Sequence, residues 1–390
     1  MTLRTEQTWH GSFFDRTRYV PEEAREQISG RLHSYLDEAA GFISRASDKA
    51  GLFLAGSLAR SEAAVVQNST GAYELASDLD FVLVVPSNDE ESGLVQLLID
   101  HLRRVDAGFL PTCFRVHEGH LHRVRSYFGN DLWHGARRPL RTRPGSPAPV
   151  RPPVGTQEAI EVVTHQLGNY LLLPEPGMRG AAVVRDSRVH QLRKLLLELL
   201  RATAPGIELR ESRYADLLDA YTRPVGPVPA AVVSALVRAR ELSLANPFGP
   251  EEGHALVRHL LIALLGGDLG TNRRDGQLPS LLRERARRTD ELLHLYQLCL
   301  IGHFFELFAE PVTAREAHRA TTDILRKLDP GELFEARQAI TRIQNTPDTP
   351  AALGDTLTLL RLDYYHYLGP YNFGRTDRPG YTTATRKATR

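Results

Sequence analysis

The chain has little cysteine, no long apolar run and no excess of either charge. Cys113 and Cys299 are the two cysteines among 390 residues, which argues against a disulfide framework and against a zinc-ligand spacing. No stretch approaches the ~18 consecutive apolar residues that a membrane helix needs. The first residues also lack the apolar core of a signal peptide. We therefore expect a cytoplasmic protein with no membrane partner.

Charge is nearly balanced, with 48 basic against 47 acidic residues and a net charge of +1. A broad electrostatic surface for a polyanion is therefore not visible at the level of the whole chain. This balance favours a small-molecule or protein partner over nucleic acid, although it excludes neither. Lysine is scarce beside arginine, as Lys194 and three others are the only lysines in the chain.

The length and the proline distribution indicate two domains joined by a linker. The linker is the segment "PLRTRPGSPAPVRPPV", which neither a helix nor a central strand tolerates. We predict an α/β domain over residues 1–140, a Pro/Arg-rich linker over 141–155, a helical domain over 156–375 and a mobile tail over 376–390.

Hydrophobic periodicity predicts a small mixed sheet with helices in the first domain. Its predicted elements are a helix over 21–46, a strand over 51–55, a helix beginning in "SLARSEAAVV", a strand over 80–85, a helix over 91–106, and strands in "CFRVHE" and "HLHRVRS". The second domain is predicted to be all-helical. Its predicted helices cover 157–173, 187–202, 229–245, 251–265, 278–308, 313–346 with a break near Pro330, and 350–368.

Two short stretches carry the chemistry of the first domain. "GSLARSE" follows an apolar strand, so that Gly56 and Ser57 offer backbone N–H groups and a hydroxyl at a helix start, with Arg60 one turn further. Asp78 and Asp80 open the next apolar strand and point to the same face, with Cα atoms roughly 6 to 7 Å apart. Hard carboxylate oxygens at this spacing suit Mg²⁺ and phosphoryl chemistry.

The combination "GSLARSE…SDLDFVLVV" resembles the signature of the polymerase-beta-like nucleotidyltransferase superfamily, over roughly residues 45 to 140. The trailing helical domain is similar to that of the antibiotic-type nucleotidyltransferases. By this resemblance, Ser57 contacts the triphosphate while Asp78 and Asp80 hold magnesium. The 22 residues from Gly56 to Asp78 exceed the compact family pattern, which predicts an extra loop or extended helix.

The resemblance also implies a third carboxylate on a later strand and a basic residue from the helical domain. Glu118 is the acid that the matching stretch "TCFRVHEGHLHRV" offers. Arg193 and Lys194 lie off the apolar face of the helix over 187–202, either as a solvated basic flank or as the source of the basic residue, for which Lys194 is chosen. A general base for the acceptor stays open among Glu118, Glu161 and Asp363.

Three other features have a structural and a functional interpretation. "HEGHLH" is a histidine-rich edge or a zinc site, the former being favoured because the metalloprotease spacing is absent. The aromatic residues of "RLDYYHYLGPYNFG" form core or stack on a base. The arginines of the linker, Arg141 among them, are solvated or attract a polyanion.

The sequence thus predicts a magnesium-dependent nucleotidyltransferase that moves a nucleoside monophosphate from a nucleoside triphosphate such as ATP to a hydroxyl of an acceptor. The acceptor would be a small molecule, of the kind met in antibiotic modification or natural-product biosynthesis, or a protein. A catalytically inactive relative that acts as a regulator or antitoxin-type binding protein is the alternative. An RNA-modifying enzyme would need a basic groove. Base choice and oligomeric state are not encoded in any pattern that we find.

Overall fold

The structure is a computed structural model. It describes residues 12–86, 93–123, 130, 133–134, 139–142, 155–172, 187–204, 213–221, 228–266, 275–346 and 352–373. Most of the predicted linker and all of the predicted tail lie outside the described residues.

The N-terminal region is a small mixed sheet with helices on one face. Its elements are α1 (Glu22–Ala46), β1 (Gly51–Leu54), α2 (Gly56–Ala59), β2 (Val65–Gln67), β3 (Tyr73–Leu75), β4 (Leu79–Val85), α3 (Leu94–Val105), β5 (Pro111–His117) and a 3-10 helix (Glu118–Arg123). Helix α1 begins directly after Pro21, with two glutamates in its first turn that favour a helix N-terminus.

Strand β4 is the centre of a three-stranded sheet of order β1-β4-β5. β1 pairs with it antiparallel, with Leu54 opposite Phe81. β5 pairs with it parallel, with Asp80 opposite Thr112. β4 is apolar because it is buried on both faces, as the sequence predicts for a central strand.

The extra residues between Gly56 and Asp78 form a hairpin and not the expected loop or extended helix. β2 and β3 pair antiparallel in a separate two-stranded sheet. The hairpin closes at its base, where the Ala76 N–H donates to the Ala64 carbonyl at 2.7 Å. The Ser77 hydroxyl then accepts from the Ala64 N–H at 2.9 Å. These bonds fix the point at which the chain enters β4.

Two predicted elements of this region were wrong. The helix expected from "SLARSEAAVV" ends after one turn, because Ser61 adopts a left-handed φ of 63° and the chain continues into β2. The second strand expected after β5 is the 3-10 helix Glu118–Arg123. Its predicted continuation beyond Arg123 lies outside the described residues.

The C-terminal region is helical, as predicted. It contains α4 (Thr156–Leu171), α5 (Ser187–Thr203), α6 (Tyr214–Ala220), α7 (Ala230–Glu241), α8 (Pro250–Gly266), α9 (Leu278–Arg287), α10 (Leu292–Phe308), α11 (Pro311–Leu325), α12 (Arg337–Asn345) and α13 (Leu353–Phe373), with short 3-10 helices at Asp275–Gln277 and Pro330–Glu332. Helix α6 was not predicted, and the single helix expected over 278–308 is two.

Each region has its own hydrophobic core. One large cluster runs from Ala159 to Tyr364 through α4 to α13. A second joins α1 and α3 to one face of the sheet. A small third cluster, which includes Phe53 and Val82, covers the other face. Of the helices that the structure describes, none combines the length and apolar character that crossing a bilayer requires.

The two regions contact each other through hydrogen bonds and through apolar packing of Tyr19 on the helical core and of Leu242 on the core of the sheet. The buried carboxylate of Glu241 accepts from the backbone N–H groups of Arg18 and Tyr19, at 2.9 and 2.6 Å. The Tyr19 hydroxyl lies 2.7 Å from that of Ser234. The segment before α1 is thereby attached to α7.

Two helical glycines are expected to respond oppositely to alanine. A Cβ at Gly30 of α1 would meet no atom within 4 Å, so Gly30→Ala should stabilise the protein by about 0.5–1 kcal/mol. A Cβ at Gly302 of α10 would overlap the Thr321 hydroxyl of α11 and lie 3.2 Å from a Leu282 methyl. Gly302→Ala should therefore destabilise the fold by about 1–3 kcal/mol. Urea unfolding of both variants measures the difference, and equal effects would contradict the packing described.

Candidate active site

The Gly-Ser turn and the aspartate pair meet at one edge of the sheet. β1 ends where β4 begins, and the Ala55 N–H donates to the Asp80 carbonyl at 2.7 Å. The next residue, Gly56, therefore lies directly against the Asp80 side chain. Antiparallel pairing of β1 with β4 thus joins the two halves of the sequence motif.

Gly56 is required by both the backbone and the space at this position. Its φ is +66°, a conformation that costs a residue with a Cβ about 1–2 kcal/mol. A Cβ here would overlap an oxygen of the Asp80 carboxylate and lie 3.2 Å from its Cγ. Only glycine brings the backbone of the turn this close to the carboxylate.

The Asp80 carboxylate is held by a threonine on the neighbouring strand. The Thr112 hydroxyl donates to Asp80 Oδ1 at 2.6 Å, across the parallel β4–β5 pair. Asp78 lies two residues earlier, at the mouth of β4, and is exposed whereas Asp80 is half-buried. Because residues two apart on a strand share a face, Asp80 lies on the face of Val82 and Val84, opposite α1 and α3, whereas Asp78 precedes the strand by one residue.

Glu118 lies at the other end of β5 and not beside the aspartate pair. β4 and β5 run parallel, so Asp80 and Thr112 are both near the strand starts, whereas Glu118 follows the end of β5. The separation is on the order of 15–20 Å at about 3.3 Å per residue. The β5 residue opposite Asp80 is Thr112.

Ser57 and Arg60 lie in the turn that Gly56 begins. Ser57 is half-buried at the start of α2. The Arg60 side chain is only 10% exposed, and its Nε donates to Glu62 Oε2 at 2.8 Å. Burial opposes ionisation of the Glu62 carboxyl, but the guanidinium groups of Arg60 and Arg240 favour the charged form, so that its pKa is lowered.

The structure adds arginines that sequence reasoning missed. The Arg16 N–H donates to the Ser61 carbonyl at 3.1 Å, which brings exposed Arg16 to the end of the turn. Arg213 adjoins Tyr214, whose N–H donates to Glu62 at 2.7 Å. Burial, the charge of Arg16 and, less strongly, that of Arg60 lower the Arg213 pKa. This clustering joins chain segments far apart in sequence, so no local pattern indicates it.

Lys194 and Asp363, two further candidates from the sequence, interact with other parts of the helical region. Lys194 lies on α5 near His165 of α4, and the pKa of His165 is lowered to about 4 by burial, by Arg361 and by Lys194. No described contact links Lys194 to the Gly56 turn. The fully buried Asp363 carboxylate accepts three backbone N–H groups at residues 334–336, at 3.0 to 3.1 Å, ahead of α12. This structural role leaves it unsuited to act as the acceptor's general base.

Glu161 is a buried acid within α4. It is 6% exposed, and its Oε2 has no hydrogen-bond partner. Burial, with a smaller effect of Glu158, raises the pKa of Glu161 to about 8. The carboxyl is therefore largely protonated at neutral pH.

The structure describes part of each remaining candidate, namely the "HEGHLH" segment, the arginine-rich linker and the C-terminal aromatic residues. Among the described residues, no group of three or more His, Cys, Asp or Glu side chains is arranged to hold a metal ion. The side chains of His120 and His122 in "HEGHLH" lie outside the described residues. Arg141 of the basic linker donates to the Ile43 carbonyl at 2.8 Å, at the end of α1. Tyr364 packs in the core, with its ring centroid 4.9 Å from that of Tyr296.

Comparisons with protein-family models, with curated proteins and with solved structures find no match for this chain.

Gly56→Ala is expected to unfold at lower denaturant and to displace Asp80. The backbone strain of about 1–2 kcal/mol adds to the steric overlap with the carboxylate. Gly93→Ala is the control, because Gly93 has a φ of −85° and its Cβ would meet nothing within 4 Å. Chemical unfolding compares the two, and a Gly56→Ala variant as stable as Gly93→Ala would refute the close approach.

Glu161→Gln should stabilise the protein increasingly as pH rises. The native pKa of about 8 exceeds the reference of 4.5, so the native state binds more protons than the unfolded state between these values. Stability conferred by the protonated acid is therefore lost as pH rises through this window, and glutamine removes that loss. The gain at pH 8 relative to pH 5 should be at least about 1 kcal/mol. Urea unfolding across pH measures it, and a pH-independent difference would contradict the assignment.

Proposed function

We propose that this protein is a magnesium-dependent nucleotidyltransferase of the polymerase-beta-like type. It would move a nucleoside monophosphate from a nucleoside triphosphate to an acceptor hydroxyl and release pyrophosphate. The observation that carries the proposal is the contact of Gly56 with the Asp80 carboxylate. A turn suited to phosphates and a carboxylate pair suited to a divalent cation thus share one sheet edge.

The donor set at this edge fits Mg²⁺. Asp78 and Asp80 supply hard oxygen ligands, and Mg²⁺ in phosphoryl-transfer sites is held by one or two carboxylates together with water and substrate phosphates. When bound, the ion would neutralise phosphate charge. Thr112 would keep the Asp80 carboxylate turned toward the site through its 2.6 Å hydrogen bond.

The residues of the turn would bind and orient the phosphates. The Ser57 hydroxyl and the backbone N–H groups beside it are donors for phosphate oxygens. Arg16, Arg60 and Arg213 add positive charge around the same turn. Catalysis would rest on positioning and on charge neutralisation, which carry most of the rate enhancement in phosphoryl transfer.

In the reaction, the acceptor hydroxyl oxygen forms a bond to the α-phosphorus as the bond from that phosphorus to the bridging oxygen breaks. Pyrophosphate leaves with the electron pair, and the hydroxyl proton passes to a base or to water. The near-neutral charge of the chain favours a small-molecule or protein acceptor over nucleic acid.

A second candidate is a nucleotide-binding regulator without catalysis. The position of Glu118 favours it, because this candidate for the third carboxylate follows the far end of β5, and the β5 residue beside Asp80 is Thr112. Such a protein would bind a triphosphate at the same edge and release no pyrophosphate.

Calorimetric titration with ATP, GTP, CTP and UTP, with and without Mg²⁺, tests the proposal. We expect wild type to bind at least one triphosphate in a magnesium-dependent manner. The double variant Asp78→Asn, Asp80→Asn should lose about tenfold or more in affinity, since each charged contact contributes about 1.5–3 kcal/mol. Asp37→Asn, on the exposed face of α1, is the control and should bind normally.

Absence of binding at millimolar nucleotide, or equal binding by the double variant, would overturn the proposal. Binding without pyrophosphate release across a screen of hydroxyl-bearing acceptors would favour the regulator.

A further inference from the structure

Glu62 connects the phosphate-binding turn to the helical region through four hydrogen bonds. Its N–H donates to the Ser57 carbonyl at 2.9 Å, and its Oε2 accepts from Arg60 Nε at 2.8 Å. Its Oε1 accepts from the Tyr214 N–H at 2.7 Å, and its carbonyl accepts from the Arg240 guanidinium. One residue thus holds the turn on one side and helices α6 and α7 on the other.

The Glu62 carboxylate is buried together with the residues on either side of it, Ser61 and Ala63. Glu62 is 1% exposed, and removing a carboxylate from water costs several kcal/mol unless it is fully bonded. Ser61, the residue before it, has a left-handed φ of 63°. The bonds from Arg60 Nε and from the Tyr214 N–H compensate the carboxylate for the loss of water.

The helical side of this contact is well packed. The Tyr214 ring lies under two guanidinium groups, those of Arg240 at 4.7 Å and Arg201 at 5.3 Å from its centroid. The Tyr214 hydroxyl donates to Glu198, which also binds Arg201. Helices α5, α6 and α7 therefore present a fixed surface to Glu62.

We propose that Glu62 is a positioning residue that sets the Gly56–Arg60 turn for triphosphate binding and makes the helical region part of the phosphate site. This inference rests on the proposed function. Glu62 itself touches no phosphate. It orients Arg60 directly and fixes Ser57 through the backbone, and Tyr214 and Arg240 hold it in place.

Glu241 provides a matched control. It too is 1% exposed, and it too joins the two regions, because its carboxylate accepts from the N–H groups of Arg18 and Tyr19. Unlike Glu62, its described hydrogen bonds do not involve the turn. Burial raises the pKa of Glu241, whereas the arginines around Glu62 lower that of Glu62, so the comparison concerns triphosphate affinity and not stability. If these carboxylates only hold the two regions together, Glu62→Gln and Glu241→Gln should change triphosphate affinity alike.

The test compares both variants by thermal unfolding and by titration with the magnesium complex of whichever triphosphate, among ATP, GTP, CTP and UTP, binds wild type most tightly. Only Glu62→Gln should bind the triphosphate more weakly, by about tenfold, because the charged partner of Arg60 is gone. Titrations are run well below the unfolding transition of each variant.

A double-mutant cycle on triphosphate affinity separates an effect of Glu62 through Arg60 from a purely structural effect. If Glu62 acts through Arg60, the Arg60→Gln, Glu62→Gln double variant should bind no more weakly than Arg60→Gln alone. Additive losses, wild-type affinity in Glu62→Gln, or equal losses in Glu62→Gln and Glu241→Gln would overturn the inference while leaving the proposed function intact. If wild type binds no triphosphate, both fall together.

Discussion

The approach of the Gly56 backbone to the Asp80 carboxylate is the constraint on which the site depends. It requires a residue without Cβ in a left-handed conformation at the end of β1, and it requires β1 to run antiparallel to β4 so that the end of one meets the start of the other. With both conditions met, Ser57 and the aspartates share one edge. If β1 did not pair antiparallel with β4, the turn at Gly56 would not meet the start of β4.

Buried polar contacts join the two regions of the chain, beside apolar contacts of Tyr19 with the helical core and of Leu242 with the core of the sheet. Glu62 and Glu241 are both buried, yet each is bonded by backbone N–H groups of the other region. A hydrogen bond requires a defined distance and angle between donor and acceptor, whereas an apolar contact has no such directional requirement. An interface of this kind fixes the orientation of the helical region relative to the sheet more than it adds stability.

Local patterns in the sequence predict the elements whose stability is local. The α1 periodicity, the apolar runs of β1 and β4 and most helices of the C-terminal region are confirmed because their hydrophobic faces repeat with the period of the element. The stop after α2 was missed, since it depends on a left-handed serine with no glycine to signal it. The break between α9 and α10 also lacks a proline or glycine.

The sequence indicates residues of the candidate site where they lie at the start or the end of an apolar strand. Gly56, Asp78 and Asp80 are such residues, because they lie at the end of β1 and the start of β4. Thr112 is set beside Asp80 by strand register, which sequence periodicity leaves undetermined. Arg213 reaches the turn through helix packing, and the bond between Tyr214 and Glu62 spans 152 positions.

The hairpin β2–β3 has a consequence for how this motif varies. Its two ends are bonded to each other at Ala64 and Ala76, so the loop is closed before the chain reaches Ser77 and β4. Residues added to or removed from its tip change the loop-closure entropy only slowly and leave the base where it is. The number of residues between Gly56 and Asp78 can therefore change without moving these two residues apart in space. A search pattern with a constant spacing between them would miss related chains in which the hairpin is longer or shorter.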